Sequence, residues 1–492
     1  MVSIIHIPNE PLLARNFVAG RWIELSDSSV ITAPYTGASS VRIQGASGDL
    51  VTRAVVHAHS ASLSWRQVPI KERTTVLLRF RELLLRDLDQ LAHYAAWEAG
   101  KTLAEGRAEV LKGIEVLEYA SSLQNSDTGG VLEVSRGVTC EYRREPLGVV
   151  AGITPFNFPA MVPMWMIPIA IALGNSFILK PSDRVPYTPC RIAEIFAEAG
   201  LPPGVFTILQ GGKEVVDEII HHNLVQAVAF VGSSSVARDV YRKTTSLGKR
   251  ALCLGGAKNH LIVVPDADPK ITVEGVVSSF TGCAGQRCMA ASVLVAVGEV
   301  DHIISQVKDA AAALVLGRDM GALIDSHALR RLHLAIEKAD QEGAKIILDG
   351  RAGKAPSGFE KGMWLAPTIL DYVKPEMECV TNELFGPVLS IIRVRTLDEA
   401  LELDKKSAYG NATSVFTTSG AVARVVSERS HSGMIGINIG VPVPREPFSF
   451  GGTKESKFGY GDITGSGGVE FWSNRKKITA KWAAQTDKNW MS

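Results

Sequence analysis

From about residue 50 to 125, apolar residues recur at three- and four-residue intervals among charges, as in Glu72 to Ala104. That period predicts amphipathic helices laid on a sheet. After Asp127 the pattern changes: Gly129 and Gly130 open a stretch, Val131 to Arg144, whose Val, Thr and Tyr content predicts a hairpin. From Gly148 short apolar runs alternate with helical patterns, at Gly148 to Ile153, Ser176 to Lys180, Val205 to Leu209, Ala227 to Val231 and Leu261 to Val264. The alternation predicts parallel strands joined by crossover helices in a doubly wound sheet. A second alternating region follows Ser292, with strand-like Val293 to Val297, Lys345 to Leu348, Val388 to Val394 and Ser414 to Phe416. It predicts a second α/β domain. Arg475 to Trp482 is strand-like again, and a terminal edge strand of this kind often pairs with another subunit.

One long uncharged run, Val162 to Leu179, is interrupted by Pro163, Pro168, Gly174 and Asn175 and lacks interfacial anchors. It reads as a buried helix feeding a strand, not as a membrane span. No repeat of fixed period and no low-complexity tract stands out. At 492 residues the chain exceeds one ordinary core, so two large domains and a small third element are expected. Lys and Arg number 52 against 51 Asp and Glu, which leaves no basic excess for a nucleic acid or an anionic membrane. The six cysteines form no CxxC pair and no zinc-like spacing, so no metal is expected and a reducing compartment fits. Met1 to Pro11 has no cationic start before an apolar core, and the expected location is the cytoplasm.

Chemistry concentrates in a few segments. In Phe280-Thr281-Gly282-Cys283-Ala284-Gly285-Gln286-Arg287-Cys288-Met289-Ala290, small residues leave room for a substrate beside Cys288, and Arg287 adds a charge that favours a thiolate. A small buried hydrophobe is the competing account of Cys288. Thr154-Pro155-Phe156-Asn157-Phe158-Pro159 follows a strand-like run, where open α/β sheets place ligands. The Asn157 amide could donate to an oxyanion, or Asn157 could be an ordinary turn residue. Lys180 and Asp183 follow another strand and could bond ribose hydroxyls, the acid repelling a 2′-phosphate; a solvated strand-end lysine is the alternative. Gly232 and Ser233 precede a helical pattern, Ala237 to Leu247, whose free N–H groups would favour a pyrophosphate, although any helix start looks similar and no GxGxxG is present. Glu383 could hold a ribose and Phe385 back a ring, unless both are surface turn residues.

In their order and approximate spacing TPFNFP, LKPS, FVGS, GQRC and ELFGPV resemble the aldehyde dehydrogenase superfamily, from about Arg15 to Trp482. The resemblance implies that family's fold: a Rossmann-like NAD domain (1–125 and 145–255), an α/β catalytic domain (256–455), and a small β bridging and oligomerisation element (126–144 and 470–492). It implies Cys288 as nucleophile, Asn157 with the Cys288 N–H as oxyanion hole, and NAD held by Thr154, Phe156, Lys180, Asp183, Arg184, Gly232, Ser233, Gly255, Glu383 and Phe385. A homo-oligomer, dimer or tetramer, is expected.

In hydrolytic members a glutamate of an ELGGK motif activates water, 34 residues before the nucleophile; here that position is Leu254, in Cys253-Leu254-Gly255-Gly256-Ala257-Lys258. A coenzyme A thiol needs less activation than water, so an acylating enzyme with CoA as co-substrate is expected. GAKNH, GQRCMA and PFNFPAMVPMWMIPIAIALGN resemble the methylmalonate semialdehyde dehydrogenase branch, whose members convert methylmalonate or malonate semialdehyde to propionyl-CoA or acetyl-CoA with loss of carbon dioxide. Arg287 matches an arginine that holds the substrate carboxylate there. A second such arginine is replaced by Lys112, which keeps the charge without the bidentate fork. Gly451 to Gly459 looks closer to general aldehyde dehydrogenases, leaving room for another small anionic semialdehyde. Two further possibilities are a hydrolytic dehydrogenase and a non-enzymatic structural protein that keeps the fold.

Overall fold

The computed structural model describes residues 10–126 and 129–482. Residues 1–9, which hold most of the Met1 to Pro11 stretch, lie outside the described residues, as do 127–128 and 483–492 of the expected bridging element.

Eight strands form the first sheet, in the order Lys457–Phe458, Arg250–Leu254, Val225–Val231, Val149–Ile153, Ser176–Lys180, Phe206–Ile208, Asn16–Val18 and Arg21–Ile23. The middle five are parallel, and each outer strand pairs antiparallel with its inner neighbour. Every residue of Val149–Ile153, Ser176–Lys180 and Phe206–Ile208 is buried, as expected where helices cover both faces of a parallel sheet and the strands become continuous apolar runs. From Val149–Ile153 the chain steps outward through two strands, then crosses back to lay Val225–Val231 on the opposite side. This reversal opens a crevice at the carboxyl ends of Val149–Ile153 and Val225–Val231. The register sets Ile153 level with Phe230 and with Lys180, so the segments that follow these strands emerge together.

The second sheet has seven strands, ordered Lys345–Leu348, Thr368–Asp371, Val388–Val394, Ala291–Val297, Asn259–Val263, Ala412–Phe416 and Met434–Ile437. All neighbours are parallel except the first pair. One expectation is corrected here: the Leu261 to Val264 run does not extend the first sheet. Its strand, Asn259–Val263, lies in the second, between Ala291–Val297 and Ala412–Phe416. The place beside Val225–Val231 goes to Arg250–Leu254, which the apolar pattern did not single out. Periodicity reports that a strand is buried on both faces, but not which sheet buries it.

The predicted hairpin is Gly129–Ser135 with Val138–Pro146. Ser473–Lys481 pairs along the whole second arm, from Ser473 opposite Pro146 to Lys481 opposite Val138. The terminal strand is therefore zipped to its own chain on one edge, and among the described residues the other edge carries no strand.

Two helices matter for the site. Leu103–Ser122 starts with a capping box, in which Thr102 Oγ1 accepts from the Glu105 N–H (3.3 Å) and Glu105 Oε2 from the Thr102 N–H (2.9 Å). Met161–Ala172, the predicted buried helix, has all 12 residues buried and leads into Ser176–Lys180. Glu109 Oε1 accepts from the Ala160 and Met161 N–H groups at its start (2.7 and 3.1 Å), while Glu109 Oε2 pairs with buried Lys101 at 2.6 Å. A buried helix start without such a partner would leave its N–H groups unsatisfied.

Candidate active site

Helix Pro269–Thr281 ends in a turn where Cys283, Ala284 and Gly285 have φ of 52°, 51° and 69°. Left-handed backbone at two residues with a Cβ costs about 1–3 kcal/mol each, so the turn persists only because its surroundings fix it. Glu105 Oε1 accepts from the Cys283 N–H at 2.6 Å, tying the turn to the capping box. Gln286 Oε1 accepts from the Ile324 N–H at 2.9 Å, and Gln286 Nε2 donates to the Ala322 carbonyl at 3.3 Å. At Gly285 a Cβ would stand 2.1 Å from the Gly386 carbonyl oxygen, so only glycine lets the Glu383 segment lie against the turn.

Cys288 follows on this frame. Its carbonyl accepts from Asn259 Nδ2 at 2.7 Å and Asn411 Nδ2 at 2.9 Å, and Asn259 Nδ2 also donates to Ala290 at 2.9 Å. Asn259 begins strand Asn259–Val263, the neighbour of Ala291–Val297, and Asn411 immediately precedes Ala412–Phe416, the next strand of the same sheet. Glu105, Asn259 and Asn411 were not anticipated: Glu105 and Asn411 act from far along the chain, and Asn259, although part of the GAKNH segment, was not assigned a role there.

Two cavities meet at Cys288. The larger, about 810 Å³, is lined by Ile153 to Phe158, Lys180, Asp183, Arg184, Phe230 to Ser233, Gly255, Gly256, Glu383 and Phe385. These segments follow four adjacent parallel strands or face them across the crevice. The structure thus brings together all ten candidate cofactor residues. Phe156 and Phe385 stand edge to face, with ring centroids 5.7 Å apart. Lys180 is 6% exposed, and burial lowers its ammonium while Asp183 draws it back up. Ser233 precedes helix Ser234–Ser246 without bonding its N–H groups, so this helix start is free to face an anion. Ser234 Oγ instead accepts from the Gly256 N–H at 2.9 Å and donates to the Glu455 carbonyl at 2.9 Å, locking the Gly255-Gly256 turn. A Cβ on Gly256 would come 2.5 Å from Glu383 Oε2. A glycine-lined cradle, a strand-end cation beside an acid, and an open helix start together suit a dinucleotide.

The smaller cavity, about 410 Å³, is walled by Phe158, Met161, Trp165, Met289, Val441, Val443 and Phe450, with Glu105, Glu109, Lys112, Glu115, Arg287 and Arg445 adding charge. Arg287 and Lys112 are therefore both beside the nucleophile's second opening. Arg445 was missed; it lies in a loop with no motif.

Cys288 is half-buried, and burial pushes its thiol up to about 12. The Glu383 carboxylate acts in the same direction, whereas Arg287 and the N–H groups of Cys288 and Met289 oppose it. Arg287 thus has the sign expected of it but does not prevail. Its Nη2 is committed to the Ser278 and Ser279 carbonyls, at 2.5 and 3.0 Å, at the negative end of helix Pro269–Thr281. Glu383 is itself pushed up to about 7 by burial, and Oε1 accepts from the Ala257 N–H at 2.9 Å. Asn157 is 5% exposed and its Nδ2 donates to the Gln286 carbonyl at 3.0 Å. One amide hydrogen anchors the nucleophile turn, and the other is left for a second acceptor. Leu254, at the position of the missing glutamate, is 4% exposed in the core beneath the sheet.

The aldehyde dehydrogenase family profile matches residues 22–478. Malonate-semialdehyde dehydrogenase 3 of Geobacillus kaustophilus is 42% identical over 479 residues, covering 95% of this chain and 98% of that protein. Among solved structures, the methylmalonate-semialdehyde dehydrogenase of Oceanimonas doudoroffii is 40% identical with a TM-score of 0.94, covering 96% of this chain and 99% of its own. A Sinorhizobium meliloti protein, named as a candidate methylmalonate-semialdehyde dehydrogenase and solved in complex with NAD, is 37% identical with a TM-score of 0.95, covering 97% and 100%. The chain belongs to the aldehyde dehydrogenase family.

Proposed function

We propose that this enzyme oxidises malonate or methylmalonate semialdehyde with NAD and passes the acyl group from Cys288 to coenzyme A. The observation that carries the acylating half is Leu254, a buried side chain with no proton to move, where a water-activating carboxylate would be needed. The names of the similar proteins support the substrate class.

In this reading the Cys288 thiol gives its proton to water in the cavity, the thiolate adds to the aldehyde carbon from the small cavity, and the second Asn157 amide hydrogen and the Cys288 N–H receive the resulting oxyanion. Bound NAD supplies the acceptor for the hydride that leaves this carbon. Thr154, Phe156, Lys180, Asp183, Arg184, Gly232, Ser233, Gly255, Glu383 and Phe385, which line the large cavity, would hold it there. The Cys288 thioester remains, the substrate carboxylate departs as carbon dioxide with a proton taking its place, and a CoA thiol displaces Cys288 to give acetyl- or propionyl-CoA. Arg287 faces the cavity that admits the carboxylate.

Of the described residues, those within 1–125 and 145–255 form the cofactor domain in this account, 256–455 the catalytic domain, and those within 126–144 and 470–492 the bridging element. The open edge of Ser473–Lys481 supports a homo-oligomer, a dimer or tetramer. Six free cysteines suit the cytoplasm, and no helix among the described residues is long and apolar enough to cross a membrane.

A hydrolytic reading has one observation in its favour: Glu383, held near 7, lines the same cavity as Cys288 and could take a proton from water. Measuring NADH release from malonate semialdehyde with and without CoA, with products identified by mass, separates the two. The acylating reading predicts a steep CoA dependence and acetyl-CoA as product. Equal rates without CoA, with the free acid as product, would select hydrolysis.

A further inference from the structure

We infer that the substrate's acid group is read by Arg445 together with Arg287, and that Lys112 is not its contact. This rests on the reading of the substrate as a carboxylated aldehyde. Lys112 lines the small cavity, but its ammonium is already bracketed by two carboxylates, Glu115 Oε2 at 3.0 Å and Glu446 Oε2 at 3.4 Å. An incoming carboxylate would have to compete there with two acids already bound to the one ammonium. The Glu446 side chain is 5% exposed, and a buried acid stripped of its counter-charge is strongly destabilising. Lys112 is therefore needed where it is, to neutralise Glu446.

Arg445 is placed differently. It lines the same cavity, its side chain is 76% exposed, and its contact with Glu115 Oε1 is 3.6 Å. Such an exposed, long pair is held weakly, so the guanidinium can turn to a substrate carboxylate at little expense and meet it with two parallel N–H groups. Arg287 has no acid partner: Nη2 donates to two backbone carbonyls, and Nε is buried without an acceptor among the described residues. Of the other acids of this cavity, Glu105 bonds the Cys283 and Thr102 N–H groups and Glu109 bonds Lys101 and two helix N–H groups, and among the described residues neither forms an ion pair with either arginine. One arginine at the mouth and one beside the nucleophile would hold the acid end while the aldehyde reaches Cys288.

The test compares KM and kcat for malonate semialdehyde and for propanal in the unaltered chain, in Arg445→Ala and in the double variant Lys112→Met/Glu446→Gln, which removes both halves of the buried pair. Arg445→Ala should raise KM for malonate semialdehyde about tenfold more than KM for propanal, the loss of one charge-assisted contact, and Arg445→Lys should recover part of it. The double variant should keep the preference for the carboxylated aldehyde within about twofold. The inference is overturned if Arg445→Ala keeps that preference, or if the double variant loses it. Should the unaltered chain show no preference at all, the carboxylated-substrate reading falls, and this inference with it.

Discussion

The two cavities that meet at Cys288 are built by different means. The cofactor side is made of backbone: four parallel strands of one sheet end together, and Gly232, Gly255 and Gly256 keep its walls thin. The substrate side is made of side chains from helices Leu103–Ser122 and Met161–Ala172, the nucleophile turn and the loop around Val441 to Phe450. A backbone cradle serves one ligand shape across a family, whereas a cavity of side chains can be re-tuned one residue at a time. Arg445 and Glu446 illustrate the second case, since two adjacent charges in one loop reset what Lys112 can do.

Replacing Cys288, which together with Phe158 lines both sides, should have the largest effect. Cys288→Ala should lower NADH formation on the order of 10⁴-fold or more while NAD still binds, which a turnover assay and a binding titration together would show. A change confined to the cofactor side comes next. In Gly256→Val the new side chain occupies the position of Glu383 Oε2, 2.5 Å from the Cβ, and breaks the Glu383 bond to the Ala257 N–H. NAD affinity should fall by about 1–3 kcal/mol, and calorimetric titration should show this with a much smaller change in aldehyde KM. Equal damage on both sides would mean that the cavities are not separable.

The smallest effect is on stability. Glu383 is raised from 4.5 to about 7 in the fold, so the folded protein binds this proton more tightly than the unfolded chain. Its contribution is fully present below about 4.5 and is lost as pH rises through about 7. Glu383→Gln removes that loss, so its melting temperature should gain on the unaltered chain between pH 5 and pH 8, by on the order of a few degrees. A constant difference across this range would show that Glu383 is not held protonated by burial.

The contrast between the cavities also explains what could be read from the sequence. Segments such as Thr154 to Pro159 and Gly232 to Ser235 are continuous and follow apolar strands, so their place at strand ends was legible, as was the hairpin and its terminal strand. Asn259, Asn411 and Glu105 were not legible. Each supports the nucleophile turn from a distant segment, Asn411 from 123 residues beyond Cys288 and Glu105 from 178 residues before Cys283. Lys112 was found from its position in a motif, but its neutralisation by Glu446, 334 residues away, depends on the fold. The misplaced Leu261 to Val264 run has the same origin, because four residues after Arg250–Leu254 carry the chain from one sheet to the other.

The most direct test of the account is to locate the acyl group itself. The enzyme is incubated with NAD and malonate semialdehyde in the absence of CoA, quenched in acid, digested and mapped by mass. An acyl adduct on the peptide carrying Cys288, discharged as acyl-CoA when CoA is added before the quench, is the predicted result. NADH formation with Cys288 unmodified throughout, or with the adduct on another cysteine, would contradict it.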